Sequence, residues 1–284
     1  MKIPSMLTFG GGEGYLWESE CNDVDIVAFH GFTGSPLDFE SLVEFSDCWN
    51  WHALACPGHN QGENRTVNQE ISLFHSENYN HHVHSYFQSI TGTKSLKILL
   101  GYSMGGRYAL RYLLQYPNDF DLAIIIGADG GIKLEEDRKS RVENDSQWIT
   151  LLEKEGIDLF NQAWTEQPII RTQLSIESPW RDMIFNRKKN GDAIGWKNSL
   201  QFFGAGAILP IWDQLEKIKI PTLLCSGVND SKYSSSMKEM SCLIPFGDLA
   251  NINKACHACH LENPKAFVKE VKSFISRWRV GGKG

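Results

Sequence analysis

Gly101-Tyr102-Ser103-Met104-Gly105 is a Gly-x-Ser-x-Gly motif lying between an apolar run, Ile98-Leu-Leu-Gly-Tyr, and a helical pattern that starts at Met104. In a strand–turn–helix setting this spacing lifts a serine hydroxyl above the edge of a sheet, and the flanking glycines let neighbouring chain pass close by. Serine alone is a weak nucleophile or base; it acts when a histidine, oriented by a carboxylate, takes its proton. If the order along the chain is Ser, Asp, His, the acid is Asp230 in Leu224-Cys-Ser-Gly-Val-Asn-Asp, with Asp213 and Asp248 as alternatives. His257 and His260 compete for the base. His257 comes first after the last expected strand, where a loop can reach over Ser103, whereas His260 sits where it can pack or cap the next helix.

Negative charge that develops beside such a serine needs backbone donors. Two are in place: the amide of Met104, and that of Phe32 in His30-Gly31-Phe32, just after the expected strand Val24–Phe29. Arg107 follows Ser103 by four residues. Helical side chains lean toward the N-terminus, so Arg107 can stand over the serine, or else ride the outer face of its helix. Arg138 and Arg141 share one face of a later helix. They can pair at the surface with Glu135, Asp137 or Asp145, or enter the cleft. A cleft holding several of these arginines would suit carboxylates, which arginine grips bidentately.

Other candidates point to packing. His81, His82 and His84 lack acids or thiols at ligand spacing and read as a solvated helix face, so no metal site is expected. Cys256 and Cys259 straddle His257 with no second pair to complete a zinc site. The seven cysteines are scattered and odd in number, which reads as free thiols in a reducing cytoplasm.

The elements that must position these residues alternate. Strands are expected at Val24–Phe29, Trp51–Ala55, Ser95–Gly101, Leu122–Gly127, Pro221–Ser226 and Leu249–Ala255, and helices at Pro36–Phe45, Asn68–Ile90, Met104–Gln115 and Pro264–Trp278. That alternation implies an α/β fold with a mainly parallel sheet flanked by helices. The charged, strand-free stretch 130–206 reads as a helical cap inserted into a core formed by 1–129 and 207–284. A chain of 284 residues can bury about three-quarters of its unfolded surface. A formal charge of −6 without a basic stripe argues against a nucleic-acid partner. No apolar run is long enough for membrane insertion, and glycines at 10–14 break up any signal-like apolar region.

Taken together, the serine motif, His30-Gly-Phe-Thr-Gly-Ser, Ala55-Cys-Pro-Gly-His and the histidine loop before Glu262-Asn-Pro resemble the α/β-hydrolase superfamily. More narrowly, Gly101-Tyr-Ser-Met-Gly-Gly-Arg107, the stretch from Gly131 to Asp145 and Trp164-Thr-Glu-Gln-Pro-Ile are similar to the 2-succinyl-6-hydroxy-2,4-cyclohexadiene-1-carboxylate synthase family of menaquinone and phylloquinone biosynthesis. This resemblance implies an α/β-hydrolase fold and a lyase that eliminates pyruvate from a small polyanionic substrate, 2-succinyl-5-enolpyruvyl-6-hydroxy-3-cyclohexene-1-carboxylate, without metal or organic cofactor. It implies Ser103 as base with His257 and Asp230 behind it, and Phe32 and Met104 as charge-stabilising amides. Tyr102, Arg107, Arg141 and Trp164 would contact substrate, with Arg138 a further candidate. A serine hydrolase, either a carboxylesterase or a carbon–carbon bond hydrolase, is the alternative on the same scaffold. The chain departs from the family in placing Cys256 before the histidine and Asn60 after His59, and in lacking a proline near Gly127–Gly131.

Overall fold

The computed structural model describes residues 2–60, 70–90 and 95–281. Strands β1 (Ser5–Phe9) and β2 (Gly12–Trp17) form a hairpin, followed by β3 (Val24–Phe29), a 3-10 turn, α1 (Glu40–Val43) and β4 (Trp49–Leu54). Then come α2 (Ser76–Ile90), β5 (Leu96–Tyr102), α3 (Met104–Gln115) and β6 (Leu122–Ile126). The chain next runs through α4 (Glu135–Thr165), α5 (Pro168–Arg171), α6 (Trp180–Lys189) and α7 (Ala193–Phe203), and returns to the sheet at β7 (Thr222–Gly227). It ends with α8 (Ser231–Leu243), β8 (Gly247–Ile252), α9 (Cys259–Glu262) and α10 (Pro264–Gly281). The sheet order is β1-β2-β4-β3-β5-β6-β7-β8, antiparallel only at the β1–β2 and β2–β4 pairings.

Side chains alternate across each strand and so build two cores. Ile26, Ala28, Ile98, Leu100, Ile124 and Cys225 pack against α1 and α10, while Val27, Phe29, Leu99, Ile125 and Leu224 pack against α2, α3 and α8. The central strands are buried on both faces, which explains their unbroken apolar sequence. The order of strands reverses beside β3, so the crevice above the carboxyl ends of β3 and β5 is where such a sheet takes ligands.

Several features depart from the sequence expectations: α8 had no expected counterpart, and the expected helix Pro36–Phe45 is a 3-10 turn over Pro36–Phe39 followed by the short α1. The hairpin β1–β2 had not been assigned; its two-residue loop is Gly10-Gly11, a composition suited to tight hairpins. Cys21 and Cys48 form a disulfide, Cα to Cα 4.9 Å, so the expectation of seven free thiols fails for this pair. The two cysteines lie 27 residues apart, but they precede strands paired from Val24↔Trp49 and are thereby brought side by side. The expected helix Asn68–Ile90 begins outside the described residues and is resolved from Ile71 as a 3-10 turn followed by α2. Among the described residues no helix is long and apolar enough to cross a membrane.

The helical segment between β6 and β7 is held over the sheet by side chains. Arg187 on α6 bonds Asp38 at 3.3 Å, Glu40 at 2.8 Å and the carbonyl of Leu37 at 2.9 Å. Inside the segment Phe160, Trp164, Trp196 and Leu152 form a small core of their own. Its longest helix, α4, breaks regular geometry at Gly156, where φ is 78°.

At the opposite end of the sheet Asp25 is buried among Lys97, His52, Asn50 and Ser95. Burial raises its carboxyl, but bonds from His52, Lys97, Ser95 and Asn50 outweigh that and hold it well below the usual carboxylate range. The folded state therefore binds the proton less readily than the unfolded chain. The cluster's stabilisation is present above about pH 4 and lost as pH falls. Asp25→Asn should lower the urea-unfolding free energy at pH 7 by about 3–5 kcal/mol, because Lys97 loses its carboxylate, and should flatten the fall in stability between about pH 4 and 2. Equal midpoints for variant and parent at pH 7 would contradict this.

Candidate active site

Ser103 sits at the sharp turn between β5 and α3 with φ 52° and ψ −110°, a backbone conformation that persists only where its surroundings enforce it. The turn depends on close packing. A Cβ at Gly101 would lie 2.5 Å from the Gly105 carbonyl oxygen, and one at Gly105 would lie 2.3 Å from that of Phe29. Glycine at these positions lets α3 pack directly on the ends of β5 and β3.

The His257 Nε2 is 3.1 Å from Ser103 Oγ, and its Nδ1 is 2.9 Å from Asp230 Oδ2. Asp230 also caps α8, its Oδ1 accepting the Tyr233 amide at 3.1 Å. Both acid and base are almost fully buried. The Tyr102 and Tyr233 rings flank the imidazole at centroid distances of 5.3 and 4.5 Å. Serine, imidazole and carboxylate thus form one continuous hydrogen-bonded array able to move a proton off or onto Ser103 Oγ.

His260 is placed elsewhere. Its ring packs against Tyr102, Phe39 and Phe267, and burial together with the nearby His257 pushes its pKa down to about 3, so it stays neutral. Asp248 pairs with Arg277 at 2.8 Å, and Asp213 lies in the first turn of the 3-10 helix Trp212–Lys217; the bond to His257 comes from Asp230.

The loop carrying Phe32 lies against the serine turn: a Cβ on Gly31 would be 3.5 Å from Ser103 Cβ. Two neutral histidines fix this loop. His30 Nε2 accepts the Cys56 amide at 3.1 Å and its Nδ1 donates to the Gly31 carbonyl at 2.7 Å. His59 accepts the Thr33 amide at 3.2 Å and donates to the Pro57 carbonyl at 3.0 Å. Burial lowers their pKa values to about 3 and about 4 respectively, which keeps both rings in the donor–acceptor form these bonds require. Sequence reasoning noticed the Pro57-Gly-His segment only as a motif and missed this bracing role.

Above Ser103 lies a cavity of about 260 Å³ between sheet and helical segment. Phe32, Met104, Tyr102, Arg107, Arg141 and Trp164, all singled out from sequence, line it. Arg107 is 7% exposed, and among the described residues it forms no salt bridge and its Nε has no hydrogen-bond partner. The Trp164 indole N–H is likewise buried and unpartnered. Arg141 lines the cavity while also pairing with Asp145 at 2.8 Å. Arg138 does not line it; its guanidinium bonds the carbonyls of Ile132 and Lys133 at 3.3 and 3.2 Å. The two arginines are one turn apart, and Arg138 is turned back onto the chain before α4 while Arg141 reaches the cavity. Lys232 and Tyr233, which follow Asp230 at the start of α8, also line the cavity and were missed. Their neighbourhood to Asp230 was the available signal.

Among the described residues no group of three or more His, Cys, Asp or Glu side chains could hold a metal ion. His84 instead pairs with Asp119 at 2.6 Å, and His81 contacts the Tyr116 hydroxyl at 3.2 Å. Cys256 and Cys259 are free thiols, both shifted upward by burial, with Cys259 packed in the core.

A strained serine turn at a cavity, a histidine bonded to it and to an aspartate, and an eight-stranded sheet of this order define a class. Residues 26–264 match the family model for the alpha/beta hydrolase fold, and the chain belongs to that family. A Bacillus subtilis (strain 168) protein provisionally named 2-succinyl-6-hydroxy-2,4-cyclohexadiene-1-carboxylate synthase is 27% identical over 252 residues, covering 88% of this chain and 90% of the relative. The protein of that name from Enterobacter sp. (strain 638) is 26% identical over 279 residues, 96% of either chain. The structure of MenH from S. aureus aligns with a TM-score of 0.79 at 24% identity, over 98% of this chain and 100% of that one.

Proposed function

We propose that this chain is a carbon–oxygen lyase acting on 2-succinyl-5-enolpyruvyl-6-hydroxy-3-cyclohexene-1-carboxylate, releasing pyruvate and leaving 2-succinyl-6-hydroxy-2,4-cyclohexadiene-1-carboxylate. The observation that carries this reading is Arg107, a buried guanidinium that lines the cavity over Ser103 and, among the described residues, makes no salt bridge, with only the longer-range attraction of Asp145. An unpaired buried charge is costly, and a pocket retains one when its ligand supplies the counter-ion. Arg141 and Lys232 add positive charge to the same cavity, which a neutral ester would not use. The proposed substrate carries three carboxylates, and the names of the curated relatives point the same way.

In this reading Ser103 Oγ passes its proton to His257 Nε2 and removes the ring proton of the substrate. The electron pair left on carbon delocalises toward the conjugated succinyl carbonyl, whose oxygen is met by the Phe32 and Met104 amides. The pair then returns into the ring, the ring double bond shifts by one position, and the carbon–oxygen bond to the enolpyruvyl group breaks with its electron pair; the departing enolate takes up the proton held by His257 and becomes pyruvate. Asp230 holds the imidazole in the tautomer that accepts at Nε2 and supports its positive form. Arg107 and Arg141 grip carboxylates, and Phe32, Trp148 and Trp164 enclose the ring and exclude water.

Arg107→Met tests the reading. It should reduce kcat/KM for pyruvate release by about 10²- to 10³-fold, since charge-assisted bonds to a desolvated carboxylate are lost. Thermal stability should stay close to the parent's, because removing a desolvated guanidinium offsets the loss of its attraction to the buried Asp145 carboxyl. An equal loss on a neutral p-nitrophenyl ester, or a simple fall in Tm with unchanged kcat/KM, would count against a carboxylate role.

A further inference from the structure

Glu262 has no part in the proton transfer just described, yet it holds two pieces of the site together. Its Oε2 accepts the backbone amide of Cys256 at 2.5 Å, the residue immediately before His257. Its Oε1 accepts the hydroxyl of Thr172 at 2.8 Å. Thr172 opens the 3-10 turn Thr172–Ser175 of the helical segment, flanked by Ile170 and Gln173, both of which line the cavity. One carboxylate therefore ties the loop that presents the base to the floor of the overlying helices. On the sheet side, the imidazole has little room: a Cβ on Gly127 would lie 3.0 Å from its Nδ1. The loop before it is extended from β8 and has Cys256 where a side chain must be accommodated, with Cys256 Sγ 3.5 Å from the Asn229 carbonyl.

We infer that Glu262 is a positioning residue that couples seating of the helical segment to the pose of His257. With Thr172 seated, both carboxylate oxygens are engaged and the Cys256 amide is anchored. When the segment lifts, one arm of the bridge is lost and the loop gains freedom. Arg187, clamped to Asp38 and Glu40, holds the segment elsewhere and does not touch the base loop. Coupling of this kind makes the base fully aligned only when the cavity is covered, which protects a reactive dienolate from water.

The inference rests on the proposed reaction for its kinetic arm, so the experiment has a second readout that needs no substrate. The downfield proton resonance of His257 Nδ1–H, donated to Asp230, reports the pose of the ring directly. Glu262→Ala should broaden or abolish that resonance and lower kcat for pyruvate release by up to about 10²-fold, with KM within about threefold. Glu262→Gln should restore both, since its carbonyl can accept from Cys256 while its amide donates to the Thr172 oxygen. Thr172→Val, which removes the arm to the helical segment together with the hydroxyl's bonds to the Ile169 carbonyl and the Cys256 side chain, should broaden the resonance and reproduce part of the kcat loss, and Arg187→Ala should leave the resonance sharp. If Glu262→Ala fails to fold, Thr172→Val and Glu262→Gln carry the same test. A sharp resonance in Thr172→Val with parental kcat would overturn the coupling. An unchanged resonance in Glu262→Ala would overturn the positioning role as well. Absent pyruvate release in every form, with the resonance behaving as expected, would reject the reaction and leave the inference standing.

Discussion

Replacing Ser103 by alanine should reduce turnover by about 10⁴- to 10⁶-fold while leaving the fold intact. The expectation comes from geometry: Ser103 lines the cavity with its Oγ 3.1 Å from His257 Nε2, so without the hydroxyl the array loses the group that hands a proton to the base. The size of the loss matters because two backbone amides and the cationic lining remain, and these alone sustain modest acceleration. Stability should stay near that of the parent, since alanine keeps the Cβ that strains φ at 52° and loses only the hydroxyl's bond to His257. Turnover within tenfold of the parent, measured as steady-state kcat on purified protein, would remove Ser103 from the chemistry.

Asp230→Asn should be nearly as damaging, at about 10⁴-fold in kcat, and for a separable reason. The carboxylate divides its oxygens between His257 Nδ1 and the Tyr233 amide that starts α8. Asparagine can keep the helix cap through its carbonyl, because it caps about as well as aspartate. Its amide NH2 must then face Nδ1, which forces that nitrogen to accept and leaves the proton on Nε2. In that tautomer the ring cannot take the serine proton. The variant should therefore melt within a few degrees of the parent while losing almost all turnover. Asp230→Ala should lose turnover and also about 1 kcal/mol of stability through the missing cap. A large Tm loss in Asp230→Asn with mild kinetic change would mean that the residue serves α8 more than His257.

The legible part of this molecule was local. The serine turn could be read because an apolar strand, a glycine-flanked serine and a helical pattern are contiguous, and the central strands could be read because burial on both faces leaves an unbroken apolar run. Asp230 and His257 were legible as residues at strand ends in a fixed order, and the structure places them 2.9 Å apart. What escaped depends on contacts between distant segments. The Cys21–Cys48 bond exists because two parallel strands start side by side, which spacing of 27 residues does not announce. The Gly10-Gly11 hairpin was overlooked because glycines read as interruption when one looks for a long apolar segment. Arg138 and Arg141 lie on one helical face, and only the seating of α4 decides that Arg141 reaches the cavity. His59, Lys232 and Glu262 carry no local pattern; their roles come from the Thr33 amide, the cavity wall and the Cys256 amide respectively.

Pyruvate release from 2-succinyl-5-enolpyruvyl-6-hydroxy-3-cyclohexene-1-carboxylate, followed beside the Ser103→Ala variant and a p-nitrophenyl ester control, tests the central claim most directly. Release should run far above the spontaneous rate and be abolished by Ser103→Ala, with little cleavage of the ester. Release at the spontaneous rate together with brisk, Ser103-dependent ester cleavage would contradict it and assign the same array to hydrolysis.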